Sequence, residues 1–208
     1  MAAVSPRGLP ALVGAPLGRG MRIGLLGGSF NPAHEGHLHI SLEALRRLQL
    51  DQVWWLVSPQ NPLKPQKGMA AFDKRLASAQ AMAQHPAIHA TGIETQLGTQ
   101  YTFETISALM EMGPDLHFVW LMGADNLSQL PTWKNWEQLM QSVPVGVLAR
   151  PGFNSAATSG KAALRFAQDR IPEEDAARLA TLAPPAWVFL PIPLHSASST
   201  QIRDQGKW

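Results

Sequence analysis

Cysteine is absent from this 208-residue chain. That excludes a disulfide scaffold, a thiolate zinc site, an iron–sulfur cluster and a cysteine nucleophile, and it fits a reducing cytoplasm. A charge surplus is lacking too. The chain has 17 basic and 15 acidic residues. Arg7 and Arg19 fall in the first twenty positions, which hold no acid, so residues 21–208 balance to zero. A broad basic face for nucleic acid is therefore not expected. No apolar run approaches the roughly 18 residues that span a bilayer, so no membrane partner is expected either. What is there is 45% hydrophobic and 15% charged residues, the profile of a folded globular chain. The length suits one domain that buries roughly 70% of its extended surface.

Residues 1–20, MAAVSPRGLPALVGAPLGRG, carry three prolines and four glycines and show no period. Pro10, Gly14 and Pro16 interrupt the apolar stretch, so the unbroken centre of a secretory signal is missing. These residues read as a disordered extension, with Met21 as a second candidate start. Residues 21–208 read as the folded domain. A chain beginning at Met21 is accordingly expected to fold and work.

Beyond that point strands and helices alternate. Residues 22–26, 53–57, 87–93, 117–122, 143–149 and 187–190 read as strands, most of them apolar throughout. Helical patterns occupy the stretch after residue 34, then 70–84, 103–112, 133–141, 162–169 and 173–182. In the first of these Leu38, Leu42 and Leu45 share a face. In the third, Thr102 suits an N-cap. Apolar strands alternating with helices specify an α/β fold, a doubly wound parallel sheet covered on both faces. Ligands of such sheets sit at the carboxyl ends of the strands.

The segment after the first strand reads Gly27-Gly28-Ser29-Phe30-Asn31-Pro32-Ala33-His34-Glu35-Gly36-His37. Adjacent glycines let a ligand approach the backbone. Asn31-Pro32 keeps the chain out of a helix at that point. His34 and His37 share one side of a helix that begins near His34, where free N–H groups and the helix dipole suit phosphate. The glycine spacing does not fit the dinucleotide fingerprint, and no acid closes the second strand. His34, His37 and His39 raise a metal site, but a His-Glu-x-x-His helix needs a spacing of four. An incidental glycine-rich turn is the remaining alternative. Ser29 has no His–Asp partner at a recognisable spacing and is not read as a nucleophile.

The string as a whole resembles the signature of the nucleotidyltransferase superfamily that carries an H/T-x-G-H motif. Its Ser-Phe-Asn-Pro form with two histidines is most similar to the bacterial nicotinate-mononucleotide adenylyltransferase family. Further segments match in the same order along residues 21–203. Gln100-Tyr101-Thr102-Phe103-Glu104-Thr105 resembles S-Y-T-x-x-T, and Gly123-Ala124-Asp125-Asn126 resembles G-x-D-N. Leu130-Pro131-Thr132-Trp133 resembles L-P-x-W, and Ser198-Ser199-Thr200-Gln201-Ile202-Arg203 resembles S-S-T-x-I-R.

The resemblance implies a Rossmann-like domain that moves the adenylyl group of ATP onto nicotinate mononucleotide, releasing pyrophosphate. It implies His37 at the α-phosphate, His34 at the transferring phosphate and Arg203 at the β- and γ-phosphates. Gly27, Gly28, Ser29, Phe30, Ser199, Thr200, Asp125 and Lys64 would bind ATP and its phosphates. Asn31, Tyr101, Thr102 and Trp133 would bind the mononucleotide, with Trp133 stacked on the pyridine ring. Lys64, in the proline-rich loop 58–68, and Arg75 match the family's basic positions only loosely, and Arg150 ends a strand near the nucleotide. Mg²⁺ is expected to arrive with ATP, held by phosphates and water, so no residue is assigned as a metal ligand. Plainer roles stand beside these. Ser199, Thr200 and Arg203 read equally as a capped helix with a surface arginine, Asp125 and Thr102 as helix caps, Trp133 as core packing and Lys64 as solvated loop.

Two departures from the family pattern are visible. Only residues 204–208 follow Arg203, short of the family's usual further helix, and residues 97–100 hold no arginine where some relatives have one. Rival activities on the same scaffold would use nicotinamide mononucleotide or phosphopantetheine as acceptor. A nucleotide-sensing module without turnover and an NAD-dependent redox protein are rivals of other classes. Intact His34, His37 and Arg203 speak against the first, and the glycine spacing against the second. The oligomeric state is left open.

Overall fold

The computed structural model describes residues 8–59, 68–153, 158–193, 195, 197–206 and 208. The strands are β1 Arg22–Gly28, β2 Gln52–Val57, β3 Ile88–Thr91, β4 His117–Gly123, β5 Val145–Leu148, β6 Arg170–Ile171 and β7 Trp187–Leu190. They form one sheet in the order β3-β2-β1-β4-β5-β7-β6, with every neighbouring pair parallel. The α-helices are α1 Leu9–Val13, α2 Glu35–Arg47, α3 Phe72–Met82, α4 Ile93–Leu97, α5 Thr102–Met112, α6 Ala124–Gln129, α7 Trp136–Ser142, α8 Lys161–Arg165 and α9 Ser199–Asp204.

Successive strand residues point to opposite faces, and the apolar residues divide accordingly. Leu25, Trp54, Leu56, Trp120 and Met122 enter one core. Leu26, Val53, Trp55, Val57, Val119 and Leu121 enter the other. This is why the strands read as uninterrupted apolar runs: both faces are covered. The order runs outward from β1 to β3 and restarts at β4 on the other side of β1. The chain leaves β1 and β4 in opposite directions, so their carboxyl ends open a crevice. Leu26 is level with Leu121, which brings Gly27-Gly28 and Gly123 to the same rim. No helix among the described residues is long and apolar enough to cross a membrane.

The structure revises the reading of residues 1–20 in their described part, residues 8–20. Leu9 and Val13 of α1 are 1% and 6% exposed and belong to the first core. Gln52 Nε2 donates to the Pro16 carbonyl at 3.0 Å, and Thr91 Oγ1 to the Leu12 carbonyl at 3.0 Å. Residues 9–16 form a strap bonded to two strands. Pro10 sits in the first helical turn, where its missing N–H has no partner to lose, and Gly14 ends the helix at φ +72°. Pro10 and Gly14, which contributed to the reading of disorder, start and stop a short helix.

The buried face of α2 also differs from expectation. It presents Gly36, Ile40, Ser41 and Ala44, whereas Leu42 is 39% exposed. Small residues let the helix sit close to the sheet, and Leu38 and Leu45 pack at its flanks. Residues 87–93 divide into β3 and the start of α4. Residues 133–141 shorten to α7 behind a 3-10 turn at Leu130–Thr132, and Glu173–Thr181 is a 3-10 helix.

Candidate active site

Two cavities open at the carboxyl ends of β1 and β4. One, of about 420 Å³, is lined by His34, His37, Asp125, Arg150, Thr200 and Arg203 among others. The second, of about 550 Å³, is lined by Glu94, Tyr101, Thr102, Trp120, Trp133 and Lys134 among others. Gly27, Gly28, Ser29 and Asn126 line both.

His34 is the N-cap of α2 and is 4% exposed. Its Nδ1 accepts the Gly36 N–H at 3.1 Å, and His37 Nδ1 accepts the His34 N–H at 3.2 Å. Both Nδ1 atoms are acceptors, which leaves Nε2 of each ring to carry a proton. The rings lie 3.9 Å apart. Burial, followed by the nearby Arg150 and His195, lowers the His34 pKa to about 4, so the free protein holds it neutral near pH 7. His37 rests 4.7 Å from Phe30, which stacks on Trp55 at 5.2 Å. Ser41 Oγ accepts from Trp55 Nε1 at 2.8 Å and donates to the His37 carbonyl at 2.8 Å. The helix, the tryptophan below it and the histidine are thereby fixed together.

Two glycines of the motif are explained by space. A Cβ on Gly36 would lie 2.9 Å from the His34 ring and 3.2 Å from the Ala197 carbonyl, so the residue between the histidines has no room for a side chain. A Cβ on Gly27 would lie 2.4 Å from the Trp120 ring. Gly27 thus accommodates Trp120 rather than only a ligand, which revises the sequence reading.

Arg203 joins the same cavity as the two histidines. Its Nη1 donates to the Asn31 carbonyl at 2.5 Å and its Nη2 to Thr200 Oγ1 at 3.2 Å. Ser198 caps α9 by accepting the Gln201 N–H at 3.2 Å, and Ser199 Oγ donates to the Pro32 carbonyl at 2.9 Å. Asn31 is 5% exposed and lines the first cavity, not the second one. Its Nδ2 donates to the Gly68 carbonyl at 2.9 Å, and its Oδ1 accepts from Ala70 N–H at 3.1 Å and Trp208 Nε1 at 2.8 Å. The amide that was expected at the mononucleotide is bonded within the protein itself. That amide ties three chain segments together.

Asp125 is not the helix cap that its position suggested. Gly123 is the N-cap of α6, and Asp125 Oδ1 lies 3.7 Å from Arg150 Nε. Arg75 is 1% exposed and donates to the carbonyls of Ser29, Ser58 and Pro59 at 2.7 Å each and of Ala70 at 3.0 Å. It clamps the chain where it leaves β1 and β2 and has no reach to a phosphate. Lys64 lies outside the described residues.

In the second cavity Trp133 is half-buried and meets Trp120 edge to face, with ring centres 6.3 Å apart. Tyr101 is the N-cap of α5 and makes no side-chain cap bond, and Thr102 is the first helical residue, so Thr102 does not cap the helix. Lys134 Nζ sits 4.0 Å above the Tyr101 ring and 3.2 Å from Glu104 Oε1. Glu94 is 7% exposed, and burial lifts its pKa to about 7. Sequence reasoning missed Glu94, Trp120 and Lys134. Glu94 alone carried a signal, as an acid just past the carboxyl end of an expected strand.

The cytidylyltransferase-like family matches residues 25–205. The chain belongs to that family of nucleotidyltransferases. A protein of Parvibaculum lavamentivorans named "Probable nicotinate-nucleotide adenylyltransferase" is 54% identical over 91% of this chain and 94% of its own. One of Cereibacter sphaeroides with the same name is 52% identical over 90% of this chain and 99% of its own. Within the family the chain is therefore a member of the nicotinate-nucleotide adenylyltransferase branch. Among solved structures, a Plasmodium falciparum nicotinic acid mononucleotide adenylyltransferase complexed with NaAD superposes with a TM-score of 0.68 at 16% identity, covering 88% of this chain and 83% of that one. A Vibrio parahaemolyticus protein described as a nicotinate-nucleotide adenylyltransferase by assignment superposes at 0.54 with 16% identity, over 90% and 89%. Both share the fold.

Proposed function

We propose that this chain transfers the adenylyl group of ATP to nicotinate mononucleotide, giving nicotinate adenine dinucleotide and pyrophosphate. The observation that carries this reading is the shared rim. A cavity rich in hydrogen-bond donors and an aromatic cavity meet at Gly27, Gly28 and Ser29. One holds a polyphosphate and the other an aromatic ring, and their junction is where two phosphates can be brought in line.

In this reading an oxygen of the mononucleotide 5′-phosphate attacks the α-phosphorus of ATP. The bond from that phosphorus to the α,β-bridging oxygen breaks, and its electron pair leaves with pyrophosphate. The attacking phosphate is already anionic, so no general base is needed. The protein's part is to position and to stabilise charge. His34 and His37 supply Nε2–H donors to the phosphate being transferred. Arg203 supplies a guanidinium fork to the leaving pyrophosphate. Ser29 Oγ, buried and without a hydrogen-bond partner among the described residues, borders both cavities and donates at their junction.

Trp133 offers its face to the electron-poor pyridine ring. Lys134, paired with Glu104 at 3.2 Å, lines that cavity and offers an N–H donor to a carboxylate on the ring. Asp125 fits a divalent cation that arrives with ATP, since it is the carboxylate lining the phosphate-side cavity and its Oδ1 is buried without a hydrogen bond. Bound Mg²⁺ would offset charge on the triphosphate.

The test is pyrophosphate release from ATP and Mg²⁺ with each acceptor supplied alone. Release is expected with nicotinate mononucleotide at a rate well above that with nicotinamide mononucleotide or phosphopantetheine. Release with none of them, or with phosphopantetheine alone, would overturn the reading.

A further inference from the structure

We propose that Trp208 is a positioning residue, a latch that holds the α9 arm and its Arg203 over the phosphate-side cavity. The consequence for catalysis rests on the adenylyl-transfer reading above. The latch itself does not.

The arm that carries Ser199, Thr200 and Arg203 is a six-residue helix, too short to persist by its own backbone hydrogen bonds. It is held by tertiary ties, and two have been described: Ser199 Oγ to the Pro32 carbonyl and Arg203 Nη1 to the Asn31 carbonyl. Arg203 cannot be its own anchor and also turn freely toward a phosphate. A third tie lies beyond the helix. The chain turns at Gly206, whose φ of +67° suits glycine, and comes back so that Trp208 Nε1 donates to Asn31 Oδ1 at 2.8 Å.

That one oxygen also accepts the Ala70 N–H at 3.1 Å, while Asn31 Nδ2 donates to the Gly68 carbonyl at 2.9 Å. Trp208 therefore fastens the arm to the same side chain that fixes residues 68–70 and the turn before His34. On its other side the indole lies under Lys74 Nζ of α3, 4.3 Å from the ring centre. The indole thus has an N–H bond to a nearly buried amide and a cation on its face, from two elements outside the arm. Among the described residues it is the one side chain beyond α9 that ties the arm to the rest of the protein. It borders the phosphate-side cavity's wall through Asn31 without lining the cavity itself, which separates positioning from contact with substrate.

The test uses the full chain with Trp208→Ala and Trp208→Phe. Amide hydrogen exchange of the ligand-free protein is read first, because it needs no turnover. Trp208→Ala is expected to speed exchange of residues 199–206 by about tenfold or more and to leave the amides of β1 and β4 unchanged. In kinetics the same variant is expected to raise KM for ATP about tenfold, with KM for the mononucleotide within about twofold. Trp208→Phe keeps a ring under Lys74 and loses the N–H, so it falls between. Unchanged exchange at residues 199–206 would overturn the latch. So would a KM increase shared equally by both substrates. If no mononucleotide is turned over but the exchange result holds, the function reading fails and the latch stands.

Discussion

The phosphate side of the cleft is held largely by main chain. His34 and His37 are each fixed by a backbone N–H, Arg203 is anchored on a carbonyl, and Arg75 gathers four more carbonyls beneath the site. The pyridine side is held by side chains from separate elements. Tyr101 comes from the start of α5, Trp133 and Lys134 from the segment before α7, Glu94 from α4 and Trp120 from β4. The difference teaches what each half can contribute. Donors fixed by the backbone are in place before the substrate arrives, so they act on charge that develops during transfer. Aromatic walls from separate elements act mainly on binding.

The sharpest way to break this comparison is on the phosphate side. His37→Ala is expected to lower kcat by about 100-fold or more, on the order of 3 kcal/mol, with the fold intact by circular dichroism. Near-normal turnover would remove the histidine pair from the account. On the pyridine side, Trp133→Ala is expected to raise KM for the mononucleotide by roughly tenfold, a stacking loss of about 1.4 kcal/mol, with kcat changed less than about threefold. A loss confined to kcat would mean the two halves are not divided in this way.

Away from the cleft, deletion of residues 1–20 removes buried Leu9 and Val13 from the first core. A loss of about 3 kcal/mol is expected, which lowers Tm by roughly 10 °C in a chain of this size. Turnover at 25 °C should change little. An unaltered melting curve would restore the reading of these residues as an appendage.

The smallest expected effect is on pH. The His34 pKa is lowered from 6.5 to about 4, mainly by burial. A lowered pKa means the stability contributed by the neutral ring is complete above pH 6.5 and is lost as pH falls toward about 4. An imidazole titration by NMR in the ligand-free protein should find its midpoint near 4. A midpoint at 6.5 or above would contradict the buried, backbone-fixed ring.

The same contrast explains how much was legible in the sequence. The parallel sheet was legible because each strand is buried on both faces and so is apolar at every position, as in residues 53–57. The histidines, Gly36 and Arg203 were legible because the phosphate side is made where contiguous segments leave a strand or begin a helix. Glu94, Trp120 and Lys134 were not, because only the tertiary fold brings α4, β4 and the Trp133 segment together. Asn31 was singled out, but the bonds its amide makes within the protein were not legible, since they depend on residues 37, 39 and 177 positions away in the chain. The strap at residues 9–15 was missed because a proline and a glycine look the same whether they bound a helix or prevent one.

The central claim is that both substrates lie in one continuous cleft and react in a single in-line displacement. It is tested most directly by the stereochemistry at the α-phosphorus. The substrate is one diastereomer of adenosine triphosphate bearing sulfur at that phosphorus, incubated with nicotinate mononucleotide. The account requires inversion of configuration in the dinucleotide product. Retention would reveal two successive displacements through a covalent adenylyl-protein, and the shared rim would not be where transfer takes place.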